Sequence, residues 1–164
     1  VFIRKFHQEL GLSPTEYRKS YHLIHLNNPH IDPQIPIPKD IADCGYSSID
    51  EEMTFLLKHH YHLPKYPFYP LVSTINRYRL GYYLGDVSSV EQLKKNKLPI
   101  FFIHGENDDY VPSYMSLENY EATTAAKELW IVNNATHAES YWLDPLEYKK
   151  RIKDFLNKYF NDKN

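Results

Sequence analysis

The chain holds one cysteine, five glycines and no apolar run near 18 residues among its 164 residues. Each shortage narrows the field. A lone Cys44 has no partner for an internal disulfide, so the disulfide-built secreted class loses its main support and a reducing cytoplasm is the expected setting. Without a long apolar run, and with a mean hydropathy of −0.60, no transmembrane helix is expected. Five glycines leave little room for a phosphate-cradling loop, and no cofactor is implied. Neither sign of charge dominates: 19 basic against 21 acidic residues give −2, which removes any global attraction to nucleic acid or anionic membrane. The start, Val1-Phe-Ile-Arg-Lys-Phe-His7, has no apolar signal-peptide stretch. It also lacks Met, so residue 1 is expected not to be the natural start.

What is present is globular. Hydrophobic residues reach 42% and aromatics 15%, with 15 Tyr, which excludes disorder as a description of the whole. At this length roughly 70% of the unfolded chain's surface is buried on folding.

The pattern changes near residue 39. Residues 20–39 read as a linker or surface arm, because Pro33, Pro36 and Pro38, with Pro29 just ahead, forbid a regular helix. From residue 40 short apolar strands alternate with amphipathic helices, the signature of a parallel α/β layer. Ile41-Ala-Asp-Cys44 ends a strand, and Ser48-Ile-Asp-Glu51 reads as a capping box opening a helix whose apolar face is Ile49, Met53, Leu56 and Leu57. Pro64, Pro67 and Pro70 break the following stretch, with helical pieces expected over about 71–83 and 87–96. Leu98-Pro-Ile-Phe-Phe-Ile103 is a strand buried on both faces, Ser113 to about Ala126 a helix, and Glu128-Leu-Trp-Ile-Val132 the next strand. The last helix is capped by Asp144, with Pro145 first, Glu147 completing a capping box, and a stripe of Tyr148, Ile152, Phe155 and Tyr159.

Polar loops follow the two best strands: His104-Gly-Glu-Asn-Asp108-Asp-Tyr-Val-Pro112 and Asn133-Asn-Ala-Thr-His137-Ala-Glu-Ser-Tyr141. In an open parallel sheet both loops reach one crevice beyond the carboxyl ends of the strands. A carboxylate there fixes a histidine tautomer and stabilises the imidazolium formed in proton transfer. His104-Gly-x-x-Asp108-x-x-Val-Pro112, followed by His137, closely resembles the C-terminal part of the α/β-hydrolase fold, in its bacterial esterase or lipase-like branch, over about 40–164. The resemblance implies a partial hydrolase sheet of about three parallel strands with flanking helices and a helical cap (about 61–97), Asp108 as triad acid and His137 as triad base. Asp109 is the rival for the acid. His104 is expected to shape its loop rather than react. The implied substrate is a small carboxylic ester or related acyl compound.

That fold's nucleophile sits in a G-x-S-x-G elbow, and residues 1–164 contain none. Gly11-Leu-Ser13-Pro-Thr15 and Gly45-Tyr-Ser47-Ser-Ile49 both fail at the last position. Recruitment of Ser47 or Ser48 is not expected, and Cys44 reads as a small core residue. The chain alone is therefore expected to be inactive. A leading strand near 40–44 would also expose a sheet edge, so instability or self-association is expected.

Phe2-Ile-Arg-Lys-Phe6-His-Gln-Glu-Leu-Gly11-Leu-Ser13-Pro14-Thr-Glu-Tyr17-Arg18 resembles the C-terminal end of an AraC-type helix-turn-helix domain, with Ser13 capping and Pro14 opening its last helix. Most groove-entering residues of such a domain would precede Val1, so independent DNA binding is not expected. Two truncated segments meeting near Lys39-Asp40 suggest a deletion, a frame error or a chimeric remnant. His59, His60 and His62, and His22 and His25, lack the carboxylate or thiol spacing of a zinc site, so no metal is expected. The aromatic stretch from Tyr61 to Tyr83 reads either as a cap over a pocket or as ordinary packing of an insert.

Overall fold

The central strand sends successive side chains to opposite faces, and each face is covered by a different helix. The computed structural model describes residues 41–160, within the compact unit Asp40–Asn164. The helix-turn-helix-like segment, the proline-rich arm, His22, His25 and the junction near Lys39-Asp40 lie outside the described residues. In chain order the elements are β1 (Ile41–Asp43), α1 (Ile49–His59), α2 (Lys65–Leu80), a 3₁₀ turn (Leu84–Asp86), α3 (Ser89–Leu93), β2 (Ile100–Gly105), α4 (Ser113–Ala122), β3 (Lys127–Val132), α5 (Ser140–Leu143) and α6 (Pro145–Tyr159).

The strands form one parallel sheet in the order β1-β2-β3, with Ile41 opposite Phe101 and Ile103 opposite Trp130. Phe101, Phe102 and Ile103 are buried, as a strand covered on both faces requires. Phe101 stacks on Phe155 of α6 with centroids 5.4 Å apart, whereas Phe102 meets Tyr120 of α4 edge-on at 6.2 Å. Burying each such ring contributes about 1.5–3 kcal/mol, so this column anchors both helix layers to the sheet.

Local chemistry sets the helix ends. Ser48 accepts the Glu51 amide at 3.2 Å and Asp144 accepts that of Glu147 at 3.0 Å. Neither makes the reciprocal half of a capping box, because Glu51 takes the Ser47 hydroxyl and Glu147 pairs with Arg151. α4 stops at Ala122, short of the expected Ala126, where Lys127 donates to the carbonyls of Tyr120 and Thr123. α2 starts earlier than expected and tolerates Pro67 and Pro70. Tyr66 keeps a strand-like backbone (φ −105°, ψ 134°), so the regular helix opens at Pro67 and Pro70 falls in its first turn. Gly81, at φ 88°, ends α2 in the left-handed region three residues before the expected end. α2 buries Tyr69 and Ser73 and leaves Leu71, Val72, Ile75 and Tyr78 exposed.

On α1 the expected apolar face is buried only in part. Leu56 and Leu57 are buried, but Ile49 and Met53 are only half-buried and Glu52 shares the buried side.

Candidate active site

The loops that follow β2 and β3 are hydrogen-bonded to each other. The amides of Glu106 and Asn107 donate to the carbonyls of Val132 and Ala135, both at 2.9 Å, and the Glu106 carboxylate accepts the Asn134 amide at 3.2 Å. Asn134 (φ 61°) and Ala138 (φ 58°) take left-handed backbone on either side of His137, so the loop folds tightly back over the strand ends.

Asp108, buried beyond β2, uses both oxygens. Oδ1 accepts the amides of Tyr110 (3.0 Å) and Val111 (2.8 Å), which fixes the carboxylate in its own turn. Oδ2 accepts Nδ1–H of His137 at 2.9 Å. Burial alone would raise the Asp108 carboxyl, but hydrogen bonds from His104, His137 and Val111 outweigh it and hold the group well below the usual carboxylate range. The bond to Asp108 raises His137 against the opposing effect of its burial. The His137 side chain is 31% exposed, and its Nε2 is the nitrogen left for a reactant. The pair is thus an ionised carboxylate orienting an accessible imidazole in the Nδ1–H tautomer.

His104 is wholly buried and bonded at both ring nitrogens. Nε2–H donates to the Val111 carbonyl at 2.7 Å and lies 3.1 Å from Asp108 Oδ2, and Nδ1 accepts from the Ser116 hydroxyl at 2.5 Å. At the end of β1, Asp43 accepts the Tyr148 hydroxyl at 2.8 Å and lies 3.3 Å from the Cys44 sulfur. Cys44 Sγ in turn accepts the amide of Ala138, next to His137, at 3.3 Å. A chain of contacts therefore runs from α6 through β1 to the histidine loop. Among the described residues, Cys44, His104 and Asp108 are the group whose ligand-type atoms fall within 4.8 Å of one another. They do not suit a metal: His104 has both nitrogens engaged, and burial followed by the Asp43 charge pushes the Cys44 thiol up, keeping it protonated.

Asp109, the rival acid, is exposed, and its backbone carbonyl pairs with His60 Nε2 at 2.7 Å. Ser47 donates to Glu51 and Ser48 caps α1, so both are occupied elsewhere. His60 and Tyr110 meet edge-on at 5.7 Å, and Tyr110 leans on His137 at 5.1 Å, forming an aromatic wall beside the imidazole. Sequence reasoning missed Glu52. It is 7% exposed, and burial, then the Asp108 charge, push its carboxyl up to about 7. Its position one turn before Leu56 is the signal that could have found it.

No protein-family model matches the chain. It is 34% identical over 117 residues to the uncharacterized protein YqkD of Bacillus subtilis (strain 168), covering 71% of this chain and 38% of that protein. Two crystal forms of the Pyrococcus furiosus esterase Pf2001 superpose with TM-scores of 0.51 and 0.53 at 24% and 22% identity. They cover 74% of this chain and 44–45% of the esterase. The chain thus spans less than half the length of YqkD and of this esterase. Its three parallel strands and flanking helices are part of an α/β-hydrolase fold. Among the described residues, no helix is long and apolar enough to cross a membrane.

Proposed function

We propose that residues 40–164 are the acid- and base-bearing portion of a serine hydrolase of the carboxylic-ester type, in the bacterial esterase or lipase-like branch, and that residues 1–39 are a separate segment. The observation that carries this reading is the 2.9 Å bond from His137 Nδ1 to an ionised, buried Asp108, which leaves Nε2 open. In this reading His137 Nε2 takes the proton of a serine hydroxyl as its oxygen bonds to the ester carbonyl carbon. Asp108 stabilises the resulting imidazolium. His137 then returns that proton to the departing alkoxide, and the same imidazole activates the water that frees the acid. α2 and the turn after it form the cap, whose exposed Leu71, Val72 and Ile75 suit an apolar acyl chain.

These 164 residues contain no G-x-S-x-G, so the serine belongs to a segment outside them and the chain by itself does not turn over. Losing the nucleophile from such a triad removes about 10⁶ in rate. The test is a chimera in which residues 40–164 replace the matched portion of the Pyrococcus furiosus esterase Pf2001. It is expected to hydrolyse p-nitrophenyl butyrate, and to lose that activity in His137→Ala. The 164-residue chain alone is expected to leave a fluorophosphonate serine probe unreacted. A folded chimera whose activity is absent, or indifferent to His137, overturns the reading, as does stoichiometric labelling of the chain alone.

A further inference from the structure

We propose that Glu52 is a binding site for a protonated primary amine, so that the compound handled beside Asp108 and His137 carries an ammonium group. That the amine belongs to the acyl substrate rests on the hydrolase reading; the binding site itself does not.

Glu52 stands in the first turn of α1 and is 7% exposed. Neither carboxylate oxygen has a hydrogen-bond partner among the described residues. Buried carboxylates are normally paired, so two orphaned oxygens mark a place where a donor is missing. The surrounding charge says which kind. The titratable groups that face Glu52 electrostatically are Tyr46 after β1, His60 at the end of α1, His104 and Asp108 at the end of β2, Tyr114 on α4 and His137 after β3. They come from every loop that converges on the site. None is Lys or Arg. His104 spends both nitrogens on Val111 and Ser116, His60 spends Nε2 on the Asp109 carbonyl, and His137 spends Nδ1 on Asp108.

Asp108 is held ionised, so a second negative charge at Glu52 has no cation of its own. Burial first, and then the Asp108 charge, keep the Glu52 carboxyl protonated up to about 7. An incoming ammonium supplies both what the oxygens lack and what the charge lacks: several N–H donors for two free acceptors, and one positive charge against two carboxylates. A neutral amide N–H would satisfy one oxygen and leave the repulsion from Asp108 in place. The helix start favours the ionised form once the cation is bound, since the amide ends of α1 point toward its first turn.

The test uses the 164-residue chain and needs no turnover. The probe is n-butylammonium chloride at pH 8, with butyramide as its uncharged match. Carbon-13 signals of the glutamate carboxyls and nitrogen-15 signals of the histidines are followed. Butylammonium is expected to give saturable shifts at Glu52 and His137, at least tenfold weaker in Glu52→Gln and unchanged in Glu51→Gln. In the wild-type chain, binding is expected to fall at least tenfold between pH 8 and pH 5, as the carboxyl gains its proton. His137 gains charge over the same range, so the fall must persist in His137→Gln. If Glu52→Gln does not fold, the pH series decides alone. Absence of saturable binding, equal binding in a folded Glu52→Gln, or butyramide bound as well as butylammonium overturns the proposal. An inactive chimera with intact ammonium binding removes the hydrolase reading and leaves this one standing; an active chimera without it does the reverse.

Discussion

Gly105 lies directly beneath the backbone of Ala135: a Cβ on it would stand 2.5 Å from the Ala135 carbonyl oxygen and as close to that of Thr136. Both are main-chain atoms, so no side-chain rotation relieves the clash. Gly105→Ala is therefore expected to push the histidine loop off the end of β2, costing about 1–3 kcal/mol of stability. Urea denaturation measures the loss. The Nδ1–H signal of His137 should weaken with it, and a variant as stable as wild type with that signal intact contradicts the packing argument.

Replacing Asp108 by Asn keeps an oxygen for the amides of Tyr110 and Val111, but can offer His137 an N–H in place of an acceptor. The imidazole should then move its proton from Nδ1 to Nε2, the tautomer that cannot act as base. Nitrogen-15 shifts of His137 report the exchange. In the chimera kcat should fall by about 10⁴. Asp108 is lowered in the folded state, so its contribution to stability is present above 3.8 and lost as pH falls through the acid range. Asp108→Asn should flatten that limb.

Glu52 behaves in the opposite sense. Its folded carboxyl is raised from 4.5 to about 7, so the folded chain holds that proton longer than the unfolded one. Stability contributed by Glu52 therefore falls as pH rises through this window, and above it the buried carboxylate is uncompensated. Glu52→Gln should be close to neutral at pH 4.5 and stabilising by about 1–3 kcal/mol at pH 8. Thermal unfolding at the two pH values separates the cases, and a pH-independent difference would contradict the assignment.

β1 has three residues and, among the described residues, no strand on its outer side. Open edges of this kind recruit further strands, so the chain is expected to self-associate. Sedimentation velocity should show concentration-dependent species larger than 19.5 kDa, reduced by Ala42→Lys. A monomer at all concentrations would rule the edge out as a pairing surface.

The sequence was most legible where physics is local. Ser48 and Asp144 mark their helix starts because a side-chain oxygen three residues from an amide needs no tertiary context. The Phe101-Phe102-Ile103 run marks the buried strand for the same reason. The strand's end was less legible: it runs on through His104 and Gly105, because Val111 and Ser116, in the loop and helix that follow, satisfy a histidine that would otherwise not be buried. The order of the two polar loops pointed to Asp108 and His137, and the geometry brings them together. The spacing from His104-Gly favoured Asp108 with Asp109 as its rival, and the fold buries the first and exposes the second. Glu52 was hidden because a charged residue in a helix is read by default as solvent-facing, and only the converging loops bury it.

The Tyr148 hydroxyl reaches Asp43 across 105 positions of chain. Because translation runs from the amino end, β1 waits through the synthesis of nearly the whole unit before its last tie becomes available. The Asp108–His137 bond can close earlier, but the Cys44–Ala138 contact that braces the histidine loop is backed by Asp43 and Tyr148. A nascent chain stalled before α6 clears the exit tunnel would carry the acid–base pair and the hydrogen bonds between its two loops, but not the Tyr148 tie that backs the Cys44–Ala138 contact. The acid–base pair thus gains its last brace from α6, a helix that contributes nothing to its chemistry.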